Sequence, residues 1–356
     1  MASPSSNILI HNIYYMLSYA FKVLNEGSYE RISGENFDNA YDLFASILAK
    51  GISKQLKQGL YREYINQSET LATIRGKLDI NGTILNRVRN SKLIACEYDE
   101  LSENNLLNQI LKATILILLK SGAVKDERKA ELKIVIIFFA GVDDILADKI
   151  QWQRIRYGKE NASYRMLINI CFFVLSNLVI NESTGNYEFR KFGGEQLSAL
   201  YEKFILEYYK QTYPALNVGL DMRDLHIDPS ASDDGVVAFL PKYKTDILLH
   251  NPVTNKLLII DAKFYSYILT TYRDAHKLRN SHLNQIMVYV WNHEADNKYS
   301  DVEGMLLYAK TENENIETGK VTILNRRYYI ETLDLNVEFR NLRIQLDKIA
   351  EMILSA

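Results

Sequence analysis

Hydrophobic residues recur every three to four positions in the first part of the chain, and this spacing predicts amphipathic helices. In the segment 12–24, Ile13, Leu17 and Phe21 share one helical face. The same spacing predicts three further helices, over residues 37–56, 104–119 and 126–139. The end of the last segment is ambiguous, because the β-branched and aromatic residues 134–139 also suit a buried strand. We favour a helix there, because this segment continues without a break from the charged, alanine-containing residues 126–132.

Short β-like stretches interrupt these helices between residues 61 and 98. Segment 61–82 alternates around Arg75-Gly76-Lys77, and segment 92–98 has the composition of one more strand. We therefore expect a small β subdomain inserted into a helical N-terminal domain.

The second half of the chain interleaves strands with helices, which is typical of an α/β domain. Helices are expected over residues 164–178, 197–213, 284–291 and 337–354. Strands are expected over residues 242–249, 256–262 and 304–309, followed by a hairpin. A basic, aromatic connector at residues 152–159 separates the halves. We predict an α/β protein, α+β overall, with an N-terminal domain of residues 1–155. The C-terminal domain, residues 156–356, would hold a mixed central sheet flanked by helices.

Composition narrows the class of protein. The chain has 47% hydrophobic and 24% charged residues, which is a globular balance and excludes a disordered or fibrous chain. Its formal net charge of -2 excludes attachment to nucleic acid by overall basicity, although it leaves room for a local basic groove.

The cysteines and the apolar stretches bear on the compartment. Two cysteines make neither a disulfide framework nor a four-ligand zinc site, so Cys96 and Cys171 are expected to be buried thiols. No secretory signal is recognisable, and the longest apolar stretch, residues 166–180, is too short to cross a bilayer. We expect a soluble, cytoplasmic protein without a membrane partner.

An acidic residue opens one predicted strand and an Asp-X-Lys triplet closes its neighbour, in a pattern that suits hydrolysis. Four aliphatic residues, 257–260, predict a buried strand that runs into Asp261-Ala262-Lys263. Because strand residues two apart point to the same side, Asp261 and Lys263 face one side of the sheet together. The short turn before this strand makes a hairpin, which can bring Asp246 of the preceding strand close to Asp261.

Two carboxylates at one sheet end form an oxygen site that suits Mg²⁺, and a nearby ammonium can orient or deprotonate a water. This combination serves phosphodiester hydrolysis. An isolated Asp-X-Lys triplet is common by chance and is usually a solvated strand end. Buried strands seldom continue into charge without a reason, however, so the context favours a catalytic site.

These residues resemble the catalytic motif of the PD-(D/E)XK nuclease superfamily. The resemblance makes Asp246 the first acid, Asp261 the second acid and Lys263 the lysine of the motif. Thr245 stands where the superfamily motif has proline. The C-terminal domain is therefore expected to have the PD-(D/E)XK fold.

Two helical segments resemble the RecB-like branch of that superfamily. The stretch from Gln285 to Tyr289 is similar to its Gln-X3-Tyr helix motif, which implies a catalytic role for Gln285. Residues 200–204 are similar to the helix that supplies a further glutamate, which implies a role for Glu202. Glu207, on the same predicted helix, is the competing residue.

Motifs across nearly the whole chain resemble the McrC family, the nuclease subunits of McrBC modification-dependent restriction systems. They are Asn12-Ile-Tyr-Tyr-Met-Leu-Ser-Tyr-Ala20, Arg75-Gly-Lys77, Tyr98-Asp-Glu-Leu-Ser-Glu-Asn-Asn105 with Asn108, and Leu240-Pro with Thr245-Asp246. The resemblance implies an Mg²⁺-dependent type IV restriction endonuclease subunit that joins an McrB-like AAA+ GTPase hexamer. Its substrate would be double-stranded DNA containing modified cytosine. The chain has no Gly-X4-Gly-Lys-Ser/Thr loop, so GTP is expected on the partner, whose GTPase this chain would stimulate.

Two groups of residues are candidates for contact with DNA and with the partner. The DNA-binding candidates are Arg273, Lys277, Arg279 and Tyr289, and His276 and His282 lie in the same segment. The partner-binding candidates are Arg75, Lys77, Arg87 and Arg89. The plainer interpretation of the first segment is a solvated charged loop. The plainer interpretation of the second group is that Arg75 and Lys77 flank a tight turn at Gly76, and that Arg87 and Arg89 lie in a solvated turn.

Two other functions compete with a nuclease subunit. One is a regulatory adaptor of an AAA+ ring with a degenerate nuclease site, and the other is a free-standing RecB-like repair nuclease. The intact set of Asp246, Asp261 and Lys263 favours an enzyme over an adaptor. The McrC-like N-terminal half argues against a nuclease that acts alone.

Overall fold

A computed structural model describes residues 10–22, 35, 37–180, 187–189, 195–264, 269–272, 275–310 and 316–355. Its helices are α1 Ile10–Phe21, α2 Ala40–Leu56, α3 Ile80–Val88, α4 Leu106–Lys120, α5 Asp126–Ile136, α6 Tyr164–Ser176, α7 Glu195–Thr212, α8 Asp234–Val237, α9 Asn280–Ala295 and α10 Phe339–Leu354. Its strands are β1 Glu63–Leu71, β2 Lys77–Leu78, β3 Ile94–Ser102, β4 Leu178–Ile180, β5 Tyr187–Phe189, β6 Asn217–Gly219, β7 Met222–Arg223, β8 Tyr243–Lys244, β9 Ile247–Asn251, β10 Lys256–Lys263, β11 Leu269–Tyr272, β12 Ala275–Leu278, β13 Asp301–Lys310, β14 Gly319–Ile323 and β15 Arg326–Asp334. The predicted α/β class, α+β overall, is confirmed.

The chain forms two compact units, one of residues 26–191 and the other of residues 1–25 with 192–356. We refer to them as the inserted unit and the sheet unit. This division differs from the predicted boundary at residues 155/156. Helix α6 packs against α2 and α4 and so belongs to the inserted unit, whereas α1 packs against α7 in the sheet unit. The apolar pattern predicted α1 and α6, but it does not reveal which helices pack against them.

The inserted unit combines α2, α4, α5 and α6 with an antiparallel sheet of order β1-β3-β2. Residues 137–139 continue α5 as a 3-10 turn, so the ambiguous segment 134–139 is helical as predicted. Asn105 caps α4 by accepting a hydrogen bond from the backbone N–H of Asn108. Both asparagine side chains donate to the carbonyl of Tyr61, at 2.9 and 2.8 Å, and so tie α4 to the start of the sheet.

The predicted β subdomain is confirmed in β1, β2 and β3. Its tight turn requires glycine at position 76, because Gly76 has a φ of +70°. A Cβ at that position would also lie 2.5 Å from the carbonyl oxygen of Glu97. Cys96 of this sheet and Cys171 of α6 are both buried thiols, as predicted.

The sheet unit is built on a six-stranded sheet of order β14-β15-β13-β10-β9-β6. The central strands β10, β13 and β15 are parallel. Strands β14 and β9 pair antiparallel with β15 and β10, and β6 pairs antiparallel with β9. Strand β10 is buried on both faces, since Leu257, Leu258, Ile259 and Ile260 are all fully buried. Leu257 and Ile259 pack with residues of α9, while α7 and α10 also pack against β10. The shorter strands β4 to β7, β11 and β12 carry no pattern long enough to predict them.

Helix α1 is part of the sheet unit. The side chain of Asn12 is buried and donates to two carbonyl oxygens ahead of α10, those of Leu335 and Val337, each at 2.7 Å. Tyr15 stacks on Phe339 with 3.9 Å between the ring centroids. The aromatic residues of α1 therefore serve internal packing. Within the described residues, no helix is both long and apolar enough to cross a bilayer.

Candidate active site

The predicted strand 242–249 is broken in two, and Asp246 lies at the break between β8 and β9. Thr245 is fully buried and clamps this point. Its backbone N–H donates to the carbonyl of Asp221 at 2.9 Å, and its hydroxyl accepts from the N–H of Asp221 at 2.9 Å. Asp246 Oδ2 in turn accepts from the N–H of Ala262 at 3.0 Å. The clamp thus places the Asp246 carboxylate against β10, next to Asp261.

Asp261 is fully buried at the end of β10. Lys263 Nζ lies 2.9 Å from its Oδ1, and among the described residues no donor hydrogen-bonds to its Oδ2. Burial raises the pKa of the Asp261 carboxyl, the Lys263 ammonium opposes that rise, and the Asp246 carboxylate adds to it. A buried carboxylate oxygen without a donor is costly, and a cation at that position would offset the cost.

A chain of hydrogen bonds fixes the lysine. Lys263 Nζ donates to Gln285 Oε1 at 2.9 Å, and Gln285 Nε2 donates to the hydroxyl of Tyr289 at 2.6 Å. That hydroxyl donates to the carbonyl oxygen of Lys244 at 2.7 Å. Helix α9 supplies both Gln285 and Tyr289, since residues four apart lie on one helical face. This series of hydrogen bonds joins α9, β8 and β10 around the two aspartates.

The two candidate glutamates of α7 point to different surroundings. Glu202 is half-buried, and its pKa is raised by burial and by the Asp246 carboxylate, while the Lys263 and Lys244 ammoniums lower it. Glu207 instead pairs with Lys22 at 3.2 Å on the side of α1. Glu202, and not Glu207, therefore lies within electrostatic range of Asp246.

The DNA-binding candidates that the structure describes differ in exposure. Lys277 is exposed on β12, and Arg279 precedes α9, but Arg273 lies outside the described residues. Tyr289 is only 4% exposed and is stacked on Tyr243, so its side chain is too buried for direct contact with DNA. Its hydroxyl instead helps to position Gln285.

His282 is buried in α9 and does not belong to a solvated loop. Its Nδ1 lies 3.1 Å from the hydroxyl of Tyr308. Burial, with the charges of Lys263 and Arg279, lowers the pKa of His282 to about 4, so the ring is neutral at pH 7. Sequence reasoning missed this interior role. The signal available was helical spacing, because His282 precedes Gln285 by three residues.

The donor set can be compared with what Mg²⁺ needs. No group of three His, Cys, Asp or Glu side chains at metal-binding distance occurs in the part of the chain that the structure describes. Two carboxylates converge, however, and Asp261 Oδ2 is buried without a donor. Mg²⁺ is commonly held by one or two carboxylates with waters filling its other positions, so the pair fits this ion.

The partner-binding candidates lie in the inserted unit. Arg75 stacks over the ring of Tyr98 at 3.9 Å and donates to Glu100 at 3.1 Å, so it is engaged within its own sheet. Arg87 and Arg89 are exposed on and after α3. Helix α3 buries none of its residues and leaves an apolar face exposed at Ile80, Ile84, Leu85 and Val88. That apolar face was not predicted, although its spacing of four residues is visible in the sequence.

Comparison with known proteins decides the family. The model of the family described as "McrBC 5-methylcytosine restriction system component" matches residues 6–309. The chain belongs to this family. A relative from Escherichia coli (strain K12), the "Type IV methyl-directed restriction enzyme EcoKMcrBC", is 27% identical over 332 residues, which cover 93% of this chain and 91% of the relative.

A solved structure shares the fold. It is a chain of the half-complex from the tetradecameric assembly of Thermococcus gammatolerans McrB AAA+ hexamers with bound McrC, with a TM-score of 0.54 and 18% identity. The match covers 96% of this chain and 76% of that chain. The family resemblance drawn from the sequence motifs is confirmed.

Proposed function

We propose that this component of an McrBC restriction system is its nuclease subunit and hydrolyses phosphodiester bonds of DNA with Mg²⁺, using a PD-(D/E)XK site. The observation that carries the proposal is the convergence of Asp246 and buried Asp261 with Lys263 at one sheet end. Family membership supports a role in restriction in general.

Each residue of the site has a task in this chemistry. Asp246 and Asp261 would hold Mg²⁺, which supplies positive charge against the negative charge that builds up on the phosphate. Lys263 would orient the attacking water, and Gln285 keeps the ammonium in place through the bond of 2.9 Å. Glu202 adds a carboxylate at the edge of the same site, where it can accept a proton from water.

The Glu202 carboxylate provides a test of this proposal. In a complex reconstituted with its AAA+ partner, Mg²⁺ and GTP, Glu202→Gln is expected to slow cleavage of DNA containing 5-methylcytosine about tenfold or more. Glu207→Gln should cleave within about twofold of the wild type, because Glu207 faces Lys22. The measurement is the initial rate of double-strand cleavage. Equal rates for both variants would remove Glu202 from the site.

We also propose that the inserted unit binds an McrB-like hexameric AAA+ GTPase and stimulates it, while GTP stays on the partner. The solved relative has McrB AAA+ hexamers with bound McrC, which supports such a partner. Helix α3 offers the matching surface in this chain, since its exposed apolar residues lie beside Arg87 and Arg89. Exposed apolar patches edged by charge are typical of interaction sites.

Substitutions on α3 test this surface. The double variant Arg87→Ala with Arg89→Ala is expected to weaken stimulation of the partner's GTPase about tenfold, and Val88→Asp should do the same by charging the apolar face. Lys57→Ala, an exposed lysine of the same unit, is the control and should stimulate normally. The measurement is a titration of each full-length variant against the partner with GTP. Unchanged stimulation by both α3 variants would place the partner contact elsewhere.

A further inference from the structure

Lys244 presents an ammonium beside the candidate active site without an ion-pair partner among the described residues. Other lysines nearby are engaged. Lys242 pairs with Asp224 at 3.4 Å, and Lys263 pairs with Asp261 at 2.9 Å. Lys244 is exposed, and only its backbone makes hydrogen bonds that the structure describes.

The charge of Lys244 reaches one carboxylate of the site, that of Glu202. It precedes Asp246 by two residues, and the residues on either side of it, Tyr243 and Thr245, are buried. The Lys244 ammonium lowers the pKa of Glu202, whereas the Asp246 carboxylate raises it. Lys244 and Asp246 therefore both lie within electrostatic range of Glu202.

The backbone of Lys244 is held firmly, so its side chain starts from a defined position. Its carbonyl oxygen accepts the hydroxyl hydrogen of Tyr289, the same tyrosine that holds Gln285. On the other edge, β8 pairs with β7, where Lys244 lies opposite Met222. The next residue, Thr245, is clamped to Asp221. Tyr289 and residues 221–222 therefore fix the backbone on which the Lys244 side chain stands.

We propose that Lys244 binds a backbone phosphate of the DNA strand that enters the site. The inference rests on the proposed nuclease function and adds a substrate-binding residue to it. With Mg²⁺ bound, the formal charges of the metal and Lys263 balance those of Asp246, Asp261 and Glu202. The ammonium of Lys244 then gives the site a net positive charge, which favours binding of a polyanionic substrate. Phosphate contacts of this kind provide affinity and salt dependence but no sequence preference.

Three variants test the proposal in the reconstituted complex, with partner, GTP, Mg²⁺ and a duplex containing 5-methylcytosine. Lys244→Met removes the charge and keeps most of the stem, Lys244→Arg keeps the charge, and Lys242→Met, an exposed lysine two residues earlier, is the matched control. We expect Lys244→Met to cleave about tenfold more slowly at physiological salt, with GTP turnover unchanged. Its rate should also fall less steeply with salt, by about one unit of slope in a double-logarithmic plot. Lys244→Arg should stay within about threefold of the wild type, and Lys242→Met within about twofold.

The outcomes separate a phosphate contact from a structural role. Wild-type cleavage and salt slope in Lys244→Met would overturn the proposal. So would a Lys244→Arg variant that is impaired as severely as Lys244→Met, because the charge would then not be responsible. Retained cleavage by Asp261→Asn would instead overturn the nuclease assignment itself, and neither Lys244 result imitates that outcome.

Discussion

Asp261→Asn is expected to abolish DNA cleavage by the complex while leaving stimulation of the partner's GTPase intact. The substitution removes one of two converging carboxylates and the ion pair with Lys263. Loss of metal charge at the reacting phosphate is expected to lower the rate about a thousandfold or more, which corresponds to about 4 kcal/mol of barrier. The measurement is single-turnover cleavage beside GTP turnover in the same reaction.

Stability measurements separate this loss from misfolding. Asparagine has nearly the same shape as aspartate, and burying an ionised carboxylate is costly. Because Asp261 is fully buried, we expect the urea midpoint of Asp261→Asn to stay at or above the wild-type value. Asp224→Asn, an exposed carboxylate paired with Lys242, is the control and should cleave normally. Cleavage by Asp261→Asn at the wild-type rate would contradict the assignment.

Asn12→Ala is expected to destabilise the sheet unit by about 2–4 kcal/mol, although position 12 lies far from this unit's strands in the sequence. The change leaves the carbonyl oxygens of Leu335 and Val337 without the donor that reaches both at 2.7 Å. Asn341→Ala, on the exposed side of α10, is the control and should change stability little.

The two tryptophans of the chain make this prediction specific to one unit. Trp152 lies in the inserted unit and Trp291 in the sheet unit, so a Trp152→Phe background reports on the sheet unit alone. Urea unfolding followed by Trp291 fluorescence should shift to lower denaturant in Asn12→Ala. The transition of Trp152, followed in a Trp291→Phe background, should not move. A shift confined to Trp152 would place α1 with the inserted unit instead.

Local patterns in the sequence predicted most elements of the fold because their periodicity is long. Helices over ten residues and the buried strand β10 were recognisable for this reason. The domain division was not, since the aromatic face of α1 looks the same whether it packs on Phe204 or on a partner protein. Chain order suggested that residues 1–155 belong together, but α1 and α7 pack across the insertion.

The proximity of Asp246, Asp261 and Lys263 was predictable for a physical reason. Strand alternation places Asp261 and Lys263 on one side, and a short hairpin limits how far Asp246 can lie from them. The supporting contacts were not predictable. The clamp between Thr245 and Asp221 joins residues 24 positions apart, through the backbone of Asp221 and through the backbone N–H and the hydroxyl of Thr245, and no local pattern in the sequence marks such a contact.

Binding of Mn²⁺ to the full chain, measured by electron paramagnetic resonance with duplex DNA present, tests the proposed metal site most directly. Mn²⁺ takes the place of Mg²⁺ in oxygen sites of this kind. We predict that the wild type and Glu207→Gln bind Mn²⁺, and that Asp246→Asn and Asp261→Asn bind it at least about tenfold more weakly. Equal Mn²⁺ binding by the wild type and Asp261→Asn would contradict a metal-dependent nuclease site at the end of β10.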